Sequence, residues 1–245
     1  MINLDLTKKL FVVGVGPGSM KYLTEYSKEA IKSSNFIVGY KYTLSTIDHI
    51  IDRSVQGVFE ITMKNQERVY QHVFNDLMKD NDRCTVPFTG DVNFSESEVV
   101  DRLLEIFGDD NVEVIPGISS IQIASAKSRV PLDKATIITF HITGDIEEKK
   151  LELAKSVTDN KSVILVPRPW PSIPSKNFMP SDISLFLKKN GIDTSKIDVW
   201  VFENLTNDEK ETVYKGKMDS LENKDFSDLS VMVIDQNIRQ TYLEF

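Results

Sequence analysis

The sequence predicts an α/β protein of two domains, and three observations carry that prediction. Strand-like and helix-like patterns alternate along the first half of the chain. The apolar run LFVVGV (Leu10 to Val15) passes into a glycine-rich turn that feeds a helical segment. The pattern then breaks at Pro131, within SRVPLDKA, after which strands and a proline-rich loop dominate. Alternation of this kind implies a mainly parallel sheet with helices on its faces. The expected domains are residues 1–130 and 131–245, each α/β, with no internal repeat and no low-complexity tract.

The elements follow in order. LFVVGV is a buried strand, and Thr24 to Ser34 a helix with Tyr26, Ala30 and Ile31 on one side. NFIVGY is a second strand and VQGVFEI a short third. Val69, Val73, Phe74 and Leu77 recur at helical spacing between Gln66 and Lys79. CTVPF is a strand closing on TGD. Ser95 and Glu98 form a Ser-x-x-Glu capping box that opens the helix ESEVVDRLLEIF. VEVI is the next strand, PG its turn and SSIQIASAK another helix. In the second half, ATIITFHI and KSVILV are strands flanking a helix around Glu147 to Ala154, and PRPWPSIPS is a proline-rich loop, read either as an extra substrate wall or as a rigid cover packed by Trp170 and Phe178. SDISLFLKKNG is a helix with Ser181 as N-cap and Gly191 just past its end. IDVWVFENL, ETVYKGKM and LSVMVID complete the strands, the last two read as an antiparallel pair.

Composition bounds the setting. The chain has 245 residues, 40% of them hydrophobic and 27% charged, as in a soluble globular protein. No apolar run approaches the roughly 20 residues of a membrane span, and MINLDLTKKL lacks the apolar region of a secretory signal, so a cytoplasmic protein without membrane contact is expected. The single cysteine, Cys84, reads as a buried small hydrophobe. A net charge of −8 argues against a nucleic-acid partner. Three histidines and one cysteine show no metal-ligand spacing, so no protein-bound metal is expected.

Three loops follow strands of the first domain: GVGPGS (Gly14 to Ser19), TGDVNFS (Thr89 to Ser95) and PGISSI (Pro116 to Ile121). In open α/β sheets ligands sit outside the carboxyl ends of the strands, so the three can share one site. The first loop is no dinucleotide fingerprint, since Ser19 stands where a third glycine belongs, and it is no P-loop, since no Gly-Lys-Ser/Thr follows. Two readings stand for it: a tight turn that brings backbone close to a flat or small ligand, or a turn without one. Asp91 can accept hydrogen bonds from a ligand or close an Asx-turn. Ser119 and Ser120 open a helix whose N-terminal amides favour an anion, or simply cap it.

These residues carry a resemblance. Gly-x-Gly-Pro-Gly near the N-terminus, Gly-Asp after a mid-domain strand, then Pro-Gly-Ile-Ser-Ser is similar to the tetrapyrrole (corrin/porphyrin) methyltransferases. VEVIPGISSIQIASAKSRVPLDKATIITFH resembles the cobalt-precorrin-7 C5-methyltransferase branch, with VVGVGPGSMKYLT and FSDLSVMVID in support. The resemblance covers nearly the whole chain. It implies two α/β domains with the active-site cleft between them, a homodimer, S-adenosylmethionine as methyl donor with S-adenosylhomocysteine as product, and a corrinoid substrate. Methylation at C15 with loss of a carboxylate then falls to a separate protein. By position, the resemblance assigns donor contacts to Pro17, Asp91, Phe94, Ser119, Ser120 and Ile121, and in the second domain to Leu165, Val166, Phe202 and Glu203. The turn Gly14, Gly16 and Gly18 would then let backbone approach donor and macrocycle. Diphthine synthases, methylases of other ring positions and a non-catalytic tetrapyrrole-binding relative share the pattern in part.

Two departures from the family pattern stand out: Thr89-Gly90-Asp91-Val92-Asn93 replaces Ser-Gly-Asp-Pro-Gly, and His141 is followed by Ile142-Thr143-Gly144 rather than directly by glycine. Methyl transfer from a sulfonium needs alignment more than a strong base, so no catalytic residue is named. His141 is read either as a base or as a hydrogen-bonded structural residue. Against an acidic substrate the candidate cations are Lys41, Arg53, Lys64, Arg68, Arg129 and Arg168. Lys41 and Arg168 stand out as the two that follow apolar strands, and these two are the substrate-binding candidates.

Overall fold

A computed structural model describes residues 8–170 and 172–236; the start of MINLDLTKKL and Pro171 of the proline-rich loop lie outside them. The chain divides into two compact units between Ser119 and Ser120. The described residues hold ten strands and seven α-helices, and no helix among them is long and apolar enough to cross a membrane.

The first unit is a five-stranded sheet in the order β3-β2-β4-β1-β5. Its strands are β1 (Lys9–Gly14), β2 (Phe36–Tyr40), β3 (Gly57–Ile61), β4 (Arg83–Phe88) and β5 (Val112–Ile115), all parallel. Side chains alternate between its faces with period two, and β1 shows why the sheet must be covered on both sides. Leu10 and Val12 enter a core with Tyr70, Leu103 and Phe107, under α3 (Gln66–His72) and α4 (Ser97–Phe107). Phe11 and Val13 enter a second core with Ile31, Leu44 and Ile47, under α1 (Glu25–Lys32) and α2 (Lys41–Ile47). A strand apolar on both faces is the signature of a parallel sheet. Cys84 is fully buried in the first of these cores.

Three local details differ from the sequence reading. Helix α2 was not foreseen: KYTLSTI starts directly at the end of β2 and carries no side-chain cap. Helix α3 is shorter than its apolar period, because a π-helical turn over Val73–Leu77 continues it. The helix expected to open from Ser95 has Glu96 at its N-cap instead, without a side-chain cap bond from Glu96, and Ser95 takes a positive φ of 83°.

The second unit is a mixed sheet in the order β6-β7-β10-β8-β9. Strands β6 (Ala135–Thr139) and β7 (Ser162–Val166) are parallel, whereas β8 (Asp198–Glu203), β9 (Thr212–Lys217) and β10 (Ser230–Asp235) enter by antiparallel pairing. Strands β9 and β10 do not pair with each other: each runs antiparallel to β8, which lies between them. Helix α5 (Ser120–Ser128) packs on β7 and β10, which is why the division falls before it and not at Pro131. The core lies where Ile138, Leu165, Val201 and Met232 meet Leu153 of α6 (Glu147–Thr158) and Ile183 and Leu187 of α7 (Pro180–Lys189). The N-cap of α7 is Met179 rather than Ser181, because the Asp182 carboxylate accepts the Met179 amide at 3.0 Å and closes the first turn two residues earlier.

Candidate active site

In the first unit the three expected loops do converge, and they do so through backbone. Beyond β1 the Val15 amide donates to Phe88 O at 2.8 Å, and Gly16 and Gly90 exchange hydrogen bonds at 3.2 and 2.7 Å. A Cβ built on Gly14 would lie 2.5 Å from Gly117 N and 2.7 Å from Gly90 O, so side-chain-free backbone is required where the three loops touch. Gly16 has φ +82°, and a Cβ there would stand 2.8 Å from Tyr22 O. The glycines expected to admit a ligand are thus occupied in packing loop on loop. Gly18 is half-buried with φ 133°. The amides of Gly16 and Gly90 are satisfied by each other, which leaves no cradle for a phosphate.

Asp91 closes the seam. Its Oδ1 accepts the Asn93 amide at 2.6 Å, the Asx-turn that was one of its two readings. Its Oδ2 accepts the Gly117 amide at 3.1 Å, tying the loop after β4 to the loop after β5. A carboxylate offers about four acceptor positions, so two stay open to a ligand's N–H or O–H groups. Beside it, Phe94 is half-buried, while Pro17 and Ser119 are buried. Lys41 lies elsewhere: exposed at the start of α2, it borders a groove of about 320 Å³ with Ser45, Asp48, Arg53 and Glu60. Helix α2 meets the loop after β4 through Thr43, whose hydroxyl meets that of Thr89 at 3.1 Å.

A polar cluster next to this seam was not foreseen from the sequence, since its members come from three separate elements: the end of β2, α3 and the head of α4. The Tyr40 hydroxyl, at the end of β2, donates to Gln66 Oε1 at 2.8 Å. Tyr70 is fully buried, with its hydroxyl unpartnered. Glu96, at the head of α4, acts on both tyrosines, and Arg102 opposes it. Burial, reinforced by the Glu98 charge, raises the Glu96 carboxyl to about 7, so it titrates near neutral pH.

In the second unit, Ser120 and the buried Ile121 open α5. Leu165 points into the core with no exposed surface, and the Val166 carbonyl accepts the Phe140 amide at 2.9 Å, so β7 has little to offer a ligand by side chain. Phe202 is likewise buried, and both Glu203 oxygens are engaged, one by the Ser227 amide at 2.6 Å and one by the Thr212 hydroxyl at 2.8 Å. Arg168, just beyond β7, is buried and stacks on Trp170 with its guanidinium carbon 4.0 Å from the ring centre. His141 is exposed beyond β6; the protein around it and then the Arg168 charge push its imidazole below the usual histidine range, against Asp228. Among the described residues no group of His, Cys, Asp and Glu is arranged to hold a metal ion.

Comparison with known proteins sets this geometry in context. The family model of the Tetrapyrrole (Corrin/Porphyrin) Methylases matches residues 9–222. The chain belongs to the tetrapyrrole methylases. It is 31% identical to a probable cobalt-precorrin-7 C(5)-methyltransferase of Methanocaldococcus jannaschii over 225 residues, 91% of this chain and 96% of that protein. Among solved structures, the methyltransferase CobJ superposes with a TM-score of 0.72 at 15% identity, covering 93% of this chain and 94% of the other. The precorrin-6Y methylase of Archaeoglobus fulgidus gives 0.63 at 21% identity, over 93% and 97%. At those identities the two structures establish the fold alone. As a tetrapyrrole methylase the chain keeps its Gly-Asp loop in register without the rigid proline, because the Asx-turn of Asp91 onto Asn93 supplies the local order that proline would.

Two outcomes are expected. Gly14→Ala forces backbone of two neighbouring loops apart and costs about 1–3 kcal/mol or more. Gly90→Ala meets no atom within 4 Å and costs only its φ strain at +80°, about 1 kcal/mol. Urea unfolding of the two variants measures the difference, and equal losses would remove the packing argument. For Glu96 the folded carboxyl binds its proton more tightly than the unfolded one, so the native state loses stability as pH rises from about 4.5 to about 7. Glu96→Gln should flatten that fall and gain up to about 2 kcal/mol at pH 8. A variant whose stability tracks wild type from pH 4 to 8 shows that Glu96 titrates normally.

Proposed function

We propose that the protein is an S-adenosylmethionine-dependent C-methyltransferase of corrin-ring biosynthesis that methylates C5 of cobalt-precorrin-7 or its metal-free equivalent. The observation that carries this reading is the match to the Methanocaldococcus jannaschii protein over nearly the full length of both chains. In the first unit the donor set suits the ligand. Open acceptor positions on Asp91 suit the ammonium and hydroxyl groups of the methyl donor, Phe94 offers a ring beside them, and Pro17 and Ser119 close the wall. In the second unit Ser120 and Ile121 at the head of α5, with backbone at Leu165, Val166, Phe202 and Glu203, complete the assignment. We further propose a cytoplasmic homodimer that hands its product to a separate C15-methylating and decarboxylating protein.

Methyl transfer from a sulfonium forms a bond from the ring carbon to the methyl group as the S–C bond breaks, and the methylated carbon then sheds its proton. The protein's share is geometric. The seam of Gly14, Gly90 and Gly117 makes the loop floor rigid, and Asp91 fixes two loops against each other while keeping acceptors for the donor. The His141 imidazole, pushed below the usual histidine range by the surrounding protein and then by the Arg168 charge, has no position that assigns it the proton.

Calorimetry should give stoichiometric binding of S-adenosylmethionine and S-adenosylhomocysteine and none of NAD. Asp91→Ala should weaken donor binding by roughly 1–3 kcal/mol, and Asp91→Asn by less, because an amide oxygen keeps one acceptor. Mass spectrometry with labelled donor and a panel of corrinoid intermediates, with elongation factor 2 as rival acceptor, then locates the methyl group. Label at C5 is expected; label on the elongation factor or another ring carbon overturns the acceptor. Absence of donor binding by folded protein overturns the methyltransferase reading itself.

A further inference from the structure

The second unit contains a charge that its own packing does not balance. Arg168 is only 3% exposed, and a guanidinium stays protonated in any protein environment. Of its five N–H donors, Nη2 reaches Thr143 O at 3.1 Å, while Nε is buried with no partner. Among the described residues no carboxylate forms an ion pair with it; Asp145 acts on it only from a distance. Its flat face lies 4.0 Å from the Trp170 ring centre, and Lys176 brings a second cation to 5.3 Å from the same ring. Burying an unpaired cation is costly, so the arrangement calls for an explanation.

A structural clamp does not supply one. The proline-rich segment after β7 is already closed by backbone, since Arg168 and Phe178 exchange hydrogen bonds at 3.0 Å in both directions. Phe178 is in turn seated against Phe140 and Phe186, with ring centres 4.8 and 5.7 Å away. The guanidinium adds one bond to this closure, Nη2 to Thr143 O at 3.1 Å, which leaves its Nε without a partner. It sits where the parallel strands β6 and β7 end, the edge at which α/β sheets take ligands. The neighbouring residues His141, Thr143 and Gly144 are exposed, and no atom stands within 4 Å of where a Cβ at Gly144 would be. Approach from that side is open.

We propose that the Arg168 guanidinium, framed by the Trp170 ring and the Thr143 carbonyl, is a carboxylate-recognition point of the second unit. Resting on the corrinoid reading above, its ligand is an acidic side chain of the macrocycle. The planar fork of N–H donors matches a carboxylate in two parallel bonds, which a lysine in its place does not. The ring face of Trp170 fixes the plane of the fork and so the angle at which the acid must arrive.

The test uses the full-length protein and two probes, a corrin polycarboxylate with its fully methyl-esterified form, and glutarate. Wild type should bind the acid form far more tightly than the ester, and Arg168→Met should reduce that ratio at least tenfold, with Arg168→Lys in between. A second readout needs no variant. Arg168 depresses the His141 imidazole and Asp228 opposes it, so an anion seated on the guanidinium should move the His141 NMR titration upward. Glutarate should do so in wild type and not in Arg168→Met. If glutarate shifts His141 while neither corrin binds, the carboxylate site stands and the corrinoid function fails. If folded Arg168→Met keeps the wild-type acid-to-ester ratio, Arg168 is a structural cation and the proposal falls. Should that variant not fold, a wild-type His141 titration unmoved by acid corrin and glutarate overturns it equally.

Discussion

The first unit depends on one close approach of backbone to backbone. At Gly14 the end of β1 meets Gly117 and Gly90 at distances that leave no room for a single added carbon. Everything the site can do in that unit follows from this contact. Because three loops touch through main chain, their spacing is set by peptide geometry and not by side-chain rotamers. The Gly16 and Gly90 amides that might have held a phosphate each donate to the other residue's carbonyl. A glycine-rich turn after a first strand is commonly read as a ligand cradle; here Gly14 and Gly16 are also joints of the scaffold, where an added Cβ would meet backbone of a neighbouring segment.

Asp91 shows how one carboxylate serves two loops. Its oxygens close an Asx-turn and staple the β5 loop, and two of about four acceptor positions stay unused. The turn therefore does not exclude a ligand contact. This also accounts for the missing proline in the Gly-Asp loop: order that a pyrrolidine ring would impose through φ comes instead from a short hydrogen bond to Asn93.

Much of the fold was legible in the sequence because burial writes itself into periodicity. Strand β1 reads as apolar on both faces, and it feeds two cores. Helix starts were harder, since a cap is decided by one or two dihedral angles. Ser95 looked like an N-cap but takes φ 83°, and Asp182 pulled the start of α7 back to Met179. Helix α2 escaped notice because KYTLSTI has neither a stop signal before it nor an amphipathic length. The convergence of loops in the first unit was foreseen from strand ends, but the cluster of Tyr40, Gln66, Tyr70 and Glu96 was not. Its members are assembled by topology from β2, α3 and the head of α4, and no single-residue pattern records such an encounter.

The same limit explains the tension between an acidic chain and an acidic ligand. A net charge of −8 describes the surface seen from far away, where salt screens it within about 10 Å. The field near any one group is local, and at the end of β7 the fold holds a guanidinium away from water with no ion-paired carboxylate among the described residues. Burial makes that one cation count for more than several solvated carboxylates, because the medium around it polarises less. Surface cations such as Arg53, which already pairs with Asp48 at 2.8 Å, contribute little to such recognition. Composition therefore speaks to solubility and to distant partners, whereas affinity for an acid is decided by whichever buried positive charge the architecture leaves uncompensated.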